Sequence, residues 1–346
     1  MKYDAIIAGA SFAGLSVATQ LRGKILLIDR KDIGSLPTSA CATYYEVLRS
    51  LGCEDSVLQI LGRVRFQTSF GCTEYQTVEP LCTFDYRECC LRLAHRFHGE
   101  FLKANVLGFE DGQLITDKGS FFSPCIVDCT GWRARLASSI QKDFVSKEEL
   151  FFGVETEVYY QSQGQELSFF MDPKVIETGY AWIFPAGERC RFGLGSYTGN
   201  TNLMSRLREF VTSFGLSMGR VHGGFIPFKL RKPTVGHLFL VGDSAGQAFP
   251  TTGEGIRQSI YFGQRCGQII QKVIDGECAL GEALKEYQHF VHRHRFAFSL
   301  FLRIQGWLLR MPNKRIDLAA RILGRGFPIK FIQTLYINYM RVKPLP

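Results

Sequence analysis

Apolar and polar positions alternate along this chain in two distinct regimes. Residues 3–21, "YDAIIAGASFAGLSVATQL", run as a short apolar stretch, a glycine turn and an amphipathic repeat, and "KILLIDR" (24–30) is a second short apolar run. That succession predicts a buried strand, a helix and another buried strand, the opening β-α-β unit of an α/β fold. Helices are predicted over "ATYYEVLRSLG" (42–52) and "YRECCLRLAHRF" (86–97), with a hairpin at Asp111-Gly112. "PCIVDCTG" (124–131) reads as a further buried strand. From about 150 to 230 the pattern turns to the two-residue period of strands, in "FFGVETEVYY", "ELSFFM", "YAWIFP" and "RCRFGLGSY", with one helix near 203–214. "HLFLVGDSAG" (237–246) returns to a buried strand, a glycine-rich turn and a long helix.

This pattern predicts an α/β protein in which a Rossmann-type domain is interrupted by a mixed β-sheet domain and followed by a helical segment. The expected parts are 1–62, 84–140 and 232–288 for the first, 63–83 and 141–231 for the second, and 289–346 for the third. "GLGSYTG" (193–199) looks like another glycine motif, but it sits on a β-rich run with no helix behind it and reads as strand and turn.

Composition narrows the picture. With 46% hydrophobic and 21% charged residues over 346 positions, the chain is that of a folded globular protein. No run reaches the roughly 18 apolar residues of a membrane span. The start, "MKYDAIIAGAS", has no basic leader region, so a signal peptide is not expected. Eleven cysteines at irregular spacing, with no C-x-x-C, suggest reduced buried thiols, no metal and a cytoplasmic location.

The net charge of +9 matters through its placement. Residues 289–346 hold eleven Lys or Arg, Arg325 among them, against one acid, Asp317, so the first 288 residues are close to neutral. Basic, aromatic-rich helices broken at Pro312 and Pro328 suit the surface of an anionic membrane, or else cap a cavity with their charges in water. No fold motif supports nucleic-acid binding.

Candidate chemistry begins at Gly9-x-Ser11-x-x-Gly14, which lies between a strand and a helix. Such glycines permit a tight turn and close approach of backbone to a pyrophosphate, and the helix N-terminus favours its negative charge. Asp29, twenty residues beyond Gly9 with Arg30 beside it, ends the second strand where an acid would bond a ribose hydroxyl. Further on, Tyr180, Trp182 and Phe184 fall on every second position and run into Pro185, so on a strand they form one aromatic wall.

"LVGDSAGQAFPTTGEGI" (240–256) resembles the second flavin motif of FAD-dependent enzymes, and Thr130-Gly131 in "VDCTG" resembles their strand-end A-T-G element. The resemblance implies FAD, with Gly242 and Asp243 at the ribityl chain. It also places Gly253, Glu254, Gly255 and Ile256 at the flavin edge of the next helix, and Arg87 near the cofactor. Within those enzymes the chain resembles the geranylgeranyl reductase family, of p-hydroxybenzoate hydroxylase-like fold. The signs are Tyr180-Ala-Trp182-Ile-Phe184-Pro185, the 242–256 pattern and the "IGSLPTSAC" loop carrying Pro37 and Cys41.

That resemblance implies a reductase that saturates C=C bonds of a polyprenyl lipid by hydride transfer from reduced flavin N5. The aromatic wall and Cys41 are its candidate catalytic residues. NAD(P)H or a ferredoxin-like protein would supply electrons. "ATYYEVL" follows Cys41 where many relatives have C-G-E or C-G-G, which leaves the role of that loop open. An FAD monooxygenase or halogenase of the same fold is the alternative reading, and a membrane-surface prenyl-lipid binding protein with a dormant flavin site is a further one.

Overall fold

The computed structural model describes residues 2–37, 39–160, 164–324 and 327–345; Arg325 of the basic tail and Thr38 of the loop before Cys41 lie outside the described residues. A six-stranded sheet runs in the order Thr234–Val235, Leu238–Leu240, Cys125–Asp128, Ala5–Ala8, Ile25–Asp29, Glu100–Lys103. Its pairings are parallel except between the first two strands. The inner strands "AIIA", "CIVD" and "LFL" are buried at every position, as continuous apolar runs covered on both faces must be.

Helices Phe12–Ala18 and Ile256–Ile274 cross closely on this sheet. A Cβ at Gly263 would stand 2.8 Å from the Ser16 Cβ, and one at Gly267 would stand 2.6 Å from the Val17 carbonyl oxygen. Small residues on the long helix therefore set the distance between the two.

The second sheet has eight strands, in the order Val221–Pro227, Leu150–Tyr159, Arg189–Ser196, Gly179–Ala186, Glu166–Met171, Val57–Thr68, Gly71–Phe84, Ala42–Tyr44. "GLGSYTG" accordingly begins as strand and ends in a turn. The Asp111-Gly112 hairpin forms, both residues taking positive φ (49° and 76°) between strands Val106–Glu110 and Gln113–Thr116.

One expected helix is shorter than the sequence suggests. Ala42–Tyr44 is a strand paired with Thr83–Leu81, and the helix begins only at Tyr45. The strand Gly71–Phe84 offers Ala42–Tyr44 a ladder at the end of the sheet, which outweighs local helical preference.

After the long helix the chain forms helices Leu280–His292, Arg295–Leu308, Asn313–Leu323 and Phe327–Asn338. Pro312 caps the third, and Pro328 lies in the first turn of the fourth, where its missing N–H breaks no helical bond. Among the described residues no helix is long and apolar enough to cross a membrane. Nine of the eleven cysteines are buried.

Candidate active site

The first glycine turn closes because side chains are absent from it. Gly9 has φ +108°, and a Cβ there would lie 2.1 Å from the Cys129 carbonyl oxygen; one at Gly14 would lie 1.8 Å from that of Gly9. Ser11 precedes helix Phe12–Ala18 without capping it, its hydroxyl meeting the Tyr86 hydroxyl at 3.0 Å instead. The first-turn N–H groups therefore keep their positive ends toward the turn. Asp29 accepts the Ala10 N–H at 2.7 Å and the Lys31 N–H at 3.1 Å, which fixes the carboxylate beside the turn. Arg30 is exposed, and so is Arg87, the second residue of helix Tyr86–His95.

Asp128 is a structural anchor. It accepts from the Thr130 N–H and hydroxyl, the Ser244 hydroxyl, and the Leu136 and Ala137 N–H groups. Thr130 is thereby fixed, also accepting from the Arg135 N–H at 2.7 Å. Gly131 takes φ +82° with open space where a Cβ would stand.

Gly242, at φ +70°, lets the end of strand Leu238–Leu240 approach the first helix, since a Cβ would come 2.8 Å from that of Ala13. Beside it the Asp243 carboxylate is half-buried with no hydrogen bond among the described residues, and burial pushes it up to about 6 against the pull of Arg231.

Arg231, which sequence reasoning missed, is buried and donates through Nη1 to the carbonyls of Trp132 and Asp243, while its Nε and Nη2 have no partner among the described residues. A buried guanidinium with two unused donors next to an unpaired carboxylate is costly unless a polar ligand engages both. Together with the side-chain-free turn at Gly9 and the open space at Gly131, this donor and acceptor set fits an FAD.

The turn 250–255 leads into helix Ile256–Ile274, for which Gly255 is the uncapped N-terminal residue. Gly253 has φ +65°, and a Cβ on it would touch the Tyr180 hydroxyl at 3.0 Å. Glu254 is fully engaged: Arg257 donates to it twice, at 2.8 and 3.0 Å, Gln258 at 3.1 Å, and Tyr336 through its hydroxyl. Burial works to raise this carboxyl, but Arg257 and the other donors hold it below its ordinary value. It is thus a poor proton donor and a good brace.

The aromatic wall forms as the alternation predicts. Tyr180, Trp182 and Phe184 share one face of strand Gly179–Ala186, with ring centroids 5.8 and 6.1 Å apart, and Phe151, Phe169 and Tyr197 join them. Gly193 and Gly195 on the neighbouring strand make this possible. A Cβ at either would fall 2.0 Å from the Trp182 or Phe151 ring, so the rings lie flat over bare backbone.

The wall is tied to the 250–255 turn. Tyr180 donates to the Thr252 carbonyl at 2.6 Å and Tyr197 to that of Thr251 at 2.5 Å. Trp182 donates to Glu155 at 2.6 Å; burial pushes that carboxyl up to about 7.

Cys41 stands apart from these groups chemically. It is 1% exposed at φ 48°, its thiol donates to the Ser39 carbonyl, and burial pushes the thiol up to about 12. A thiol in that setting stays protonated and packs. Arg191 fastens its loop through the carbonyls of Ala40, Cys41 and Phe84.

Comparison with known proteins follows the same lines. No family model matches the chain. The chain is similar to the digeranylgeranylglycerophospholipid reductase of Methanocaldococcus jannaschii, 30% identical over 171 residues that cover 46% of this chain and 44% of that one. The chain thus matches less than half the length of this relative.

In fold the likeness is fuller. The crystal structure of a geranylgeranyl bacteriochlorophyll reductase-like protein from Thermoplasma acidophilum superposes with a TM-score of 0.84 at 16% identity, covering 99% of this chain and 97% of that one. PqsL, a probable FAD-dependent monooxygenase from Pseudomonas aeruginosa, gives a TM-score of 0.71 at 14% identity, covering 92% and 99%. The fold is therefore that of FAD-dependent oxidoreductases, and the resemblance to geranylgeranyl reductases seen in the motifs extends to sequence and architecture.

Proposed function

We propose that this protein is an FAD-dependent reductase that saturates C=C bonds of a polyprenyl, geranylgeranyl-type lipid. The observation that carries the reading is the bracing of an aromatic wall against the 250–255 turn by Tyr180 and Tyr197. The curated reductases similar in sequence support the same substrate class.

An isolated double bond offers no carbonyl to polarise and no acidic proton, so positioning has to supply most of the rate. FAD, when bound and reduced, supplies the hydride. Tyr180, Trp182 and Phe184 give an apolar, rigid surface that holds a prenyl chain without competing polar groups and keeps water away. The Gly9 turn, Asp29, Asp243 and Arg231 bind and orient the cofactor. The basic tail serves as the membrane face. Phe296, Trp307, Leu318 and Ile322 are exposed there beside Arg303, Arg310, Lys314 and Arg315, a composition suited to an anionic bilayer surface from which a lipid substrate enters.

An anaerobic experiment tests this. The purified protein should carry FAD in near-stoichiometric amount, and after chemical reduction its flavin should be reoxidised by digeranylgeranyl lipid with loss of product double bonds in the mass spectrum. Colourless protein that takes up no FAD overturns the reading. Reoxidation only by O₂ with an oxygenated product overturns it in favour of monooxygenase chemistry.

A further inference from the structure

The wall rests on a buried carboxylate that the chemistry above leaves unused. Four strands place His222, Glu155, Gly193 and Trp182 in one row, each opposite the next. Cross-strand partners share a face of the sheet. Because Gly193 has no side chain, the Trp182 indole spans its position and reaches Glu155, donating from Nε1 to Oε2 at 2.6 Å. Glu155 is 3% exposed, and its Oε1 is buried without a hydrogen-bond partner. His222 Nε2 stands 3.5 Å from that oxygen without forming a hydrogen bond to it, and the His222 side chain is 26% exposed on the edge strand Val221–Pro227.

We propose that Glu155 is a positioning residue for the prenyl double bond, whose carboxyl, taking up and releasing a proton beside His222, sets how firmly the Trp182 indole is held against the sheet. The consequence for turnover rests on the reductase reading; the coupling to Trp182 does not. An N–H bond to an ionised carboxylate is roughly twice as strong as one to a neutral carboxyl. Every charged group facing the pair acts on this balance. Burial raises Glu155 to about 7, Arg191 and the Trp182 bond work against that, and Glu157 adds to it. His222 is held below its ordinary value by burial, then by Arg191 and Arg220, with Glu157 opposing. Burial and the two arginines thus favour the neutral form of His222 beside the Glu155 carboxyl. Glu155 also raises the Cys41 thiol, which burial already keeps protonated. The exchange moves one proton between water and Oε1 and involves no oxidation.

The test is an NMR titration of the ¹⁵N-indole signals in the purified holoprotein, the Trp182 signal being the one lost in W182F. Its Nε1–H resonance should move downfield with rising pH, with a midpoint near the Glu155 value of about 7, and E155Q should keep a bonded indole while abolishing the titration. In lipid reduction, E155Q should flatten the pH dependence of kcat/KM across roughly pH 6 to 8, whereas E155L should lower it at every pH. An indole signal unmoved across that range, or one that titrates equally in E155Q, overturns the proposal. Absence of lipid turnover with the titration intact overturns the reductase reading alone.

Discussion

Glu155 is a carboxyl placed where ionisation is opposed, and that has a measurable effect on stability. Its folded value of about 7 lies above the ordinary 4.5. The contribution is therefore fully favourable below the ordinary value and is lost as pH rises through the folded one. Above neutrality the wild-type chain bears a buried charge worth about 3 kcal/mol, which a glutamine at that position avoids. Urea unfolding of E155Q and wild type should show the stability difference swinging toward the variant by about that amount between acid and mildly alkaline pH. A difference independent of pH would mean the carboxyl is not held as described.

At this scale the sequence was only partly legible. Glycines and acids in spaced motifs declare themselves by pattern, as Gly9, Asp29 and Asp243 do. Glu155 does not, because "GVETE" puts Gly153, Glu155 and Glu157 on one face of the strand, the usual mark of a solvated side. Arg231, inside the basic run "KLRK" (229–232), and Arg257, alone after Ile256, are hidden for a similar reason, since arginines so placed most often face water.

The strand Arg189–Ser196 is a floor, and its glycines decide what can lie on it. Gly193→Ala places a methyl 2.0 Å from the Trp182 ring, so the ring must leave or the strands must part. The expected loss is about 1–3 kcal/mol in unfolding free energy. Any lipid reduction should fall further than the FAD content, because the damage is to the wall rather than to the Gly9 turn. Equal loss of both would show that the floor supports the cofactor instead.

The strands and helices that the two periods announce are present, including the wall strand Gly179–Ala186 and the long helix Ile256–Ile274. Less visible was the hairpin Val57–Thr68 and Gly71–Phe84. Much of it alternates between exposed and partly buried positions, with Leu58, Ile60 and Val78 exposed as well as Arg63 and Glu74, and such strands owe their existence to neighbours rather than to their own composition.

On the scale of the whole molecule, the tail and the 250–255 turn form one assembly. Phe249 packs among Phe298, Phe301 and Tyr336 at ring separations of 4.8, 4.9 and 5.5 Å, while Gln305 and the Phe301 carbonyl accept from the Thr251 N–H and hydroxyl. The opposite side of the same helices is apolar and basic. Replacing Arg303, Arg310 and Lys314 by alanine should weaken binding to anionic vesicles roughly a hundredfold at low salt, each charge near a membrane being worth about 1 kcal/mol. FAD content should be unchanged. Vesicle binding unaffected by these changes and by salt would leave the charges facing water only. The sequence disclosed the charge asymmetry of the tail but not its attachment to the turn, which depends on contacts between positions more than fifty residues apart.

That attachment has a kinetic side. Arg257 is 2% exposed; it holds Glu254 with one edge and the carbonyls of Tyr336, Ile337 and Met340 with Nη1, at the end of the last helix. Lifting the tail would take three carbonyl acceptors from Arg257 and the tyrosine donor from Glu254 while leaving their mutual ion pair, so the tail would detach seldom. On the reductase reading, with substrate and product both long and oily, such a latch would act as a clock: exchange of one lipid for the next, rather than bond saturation, would set the pace of turnover.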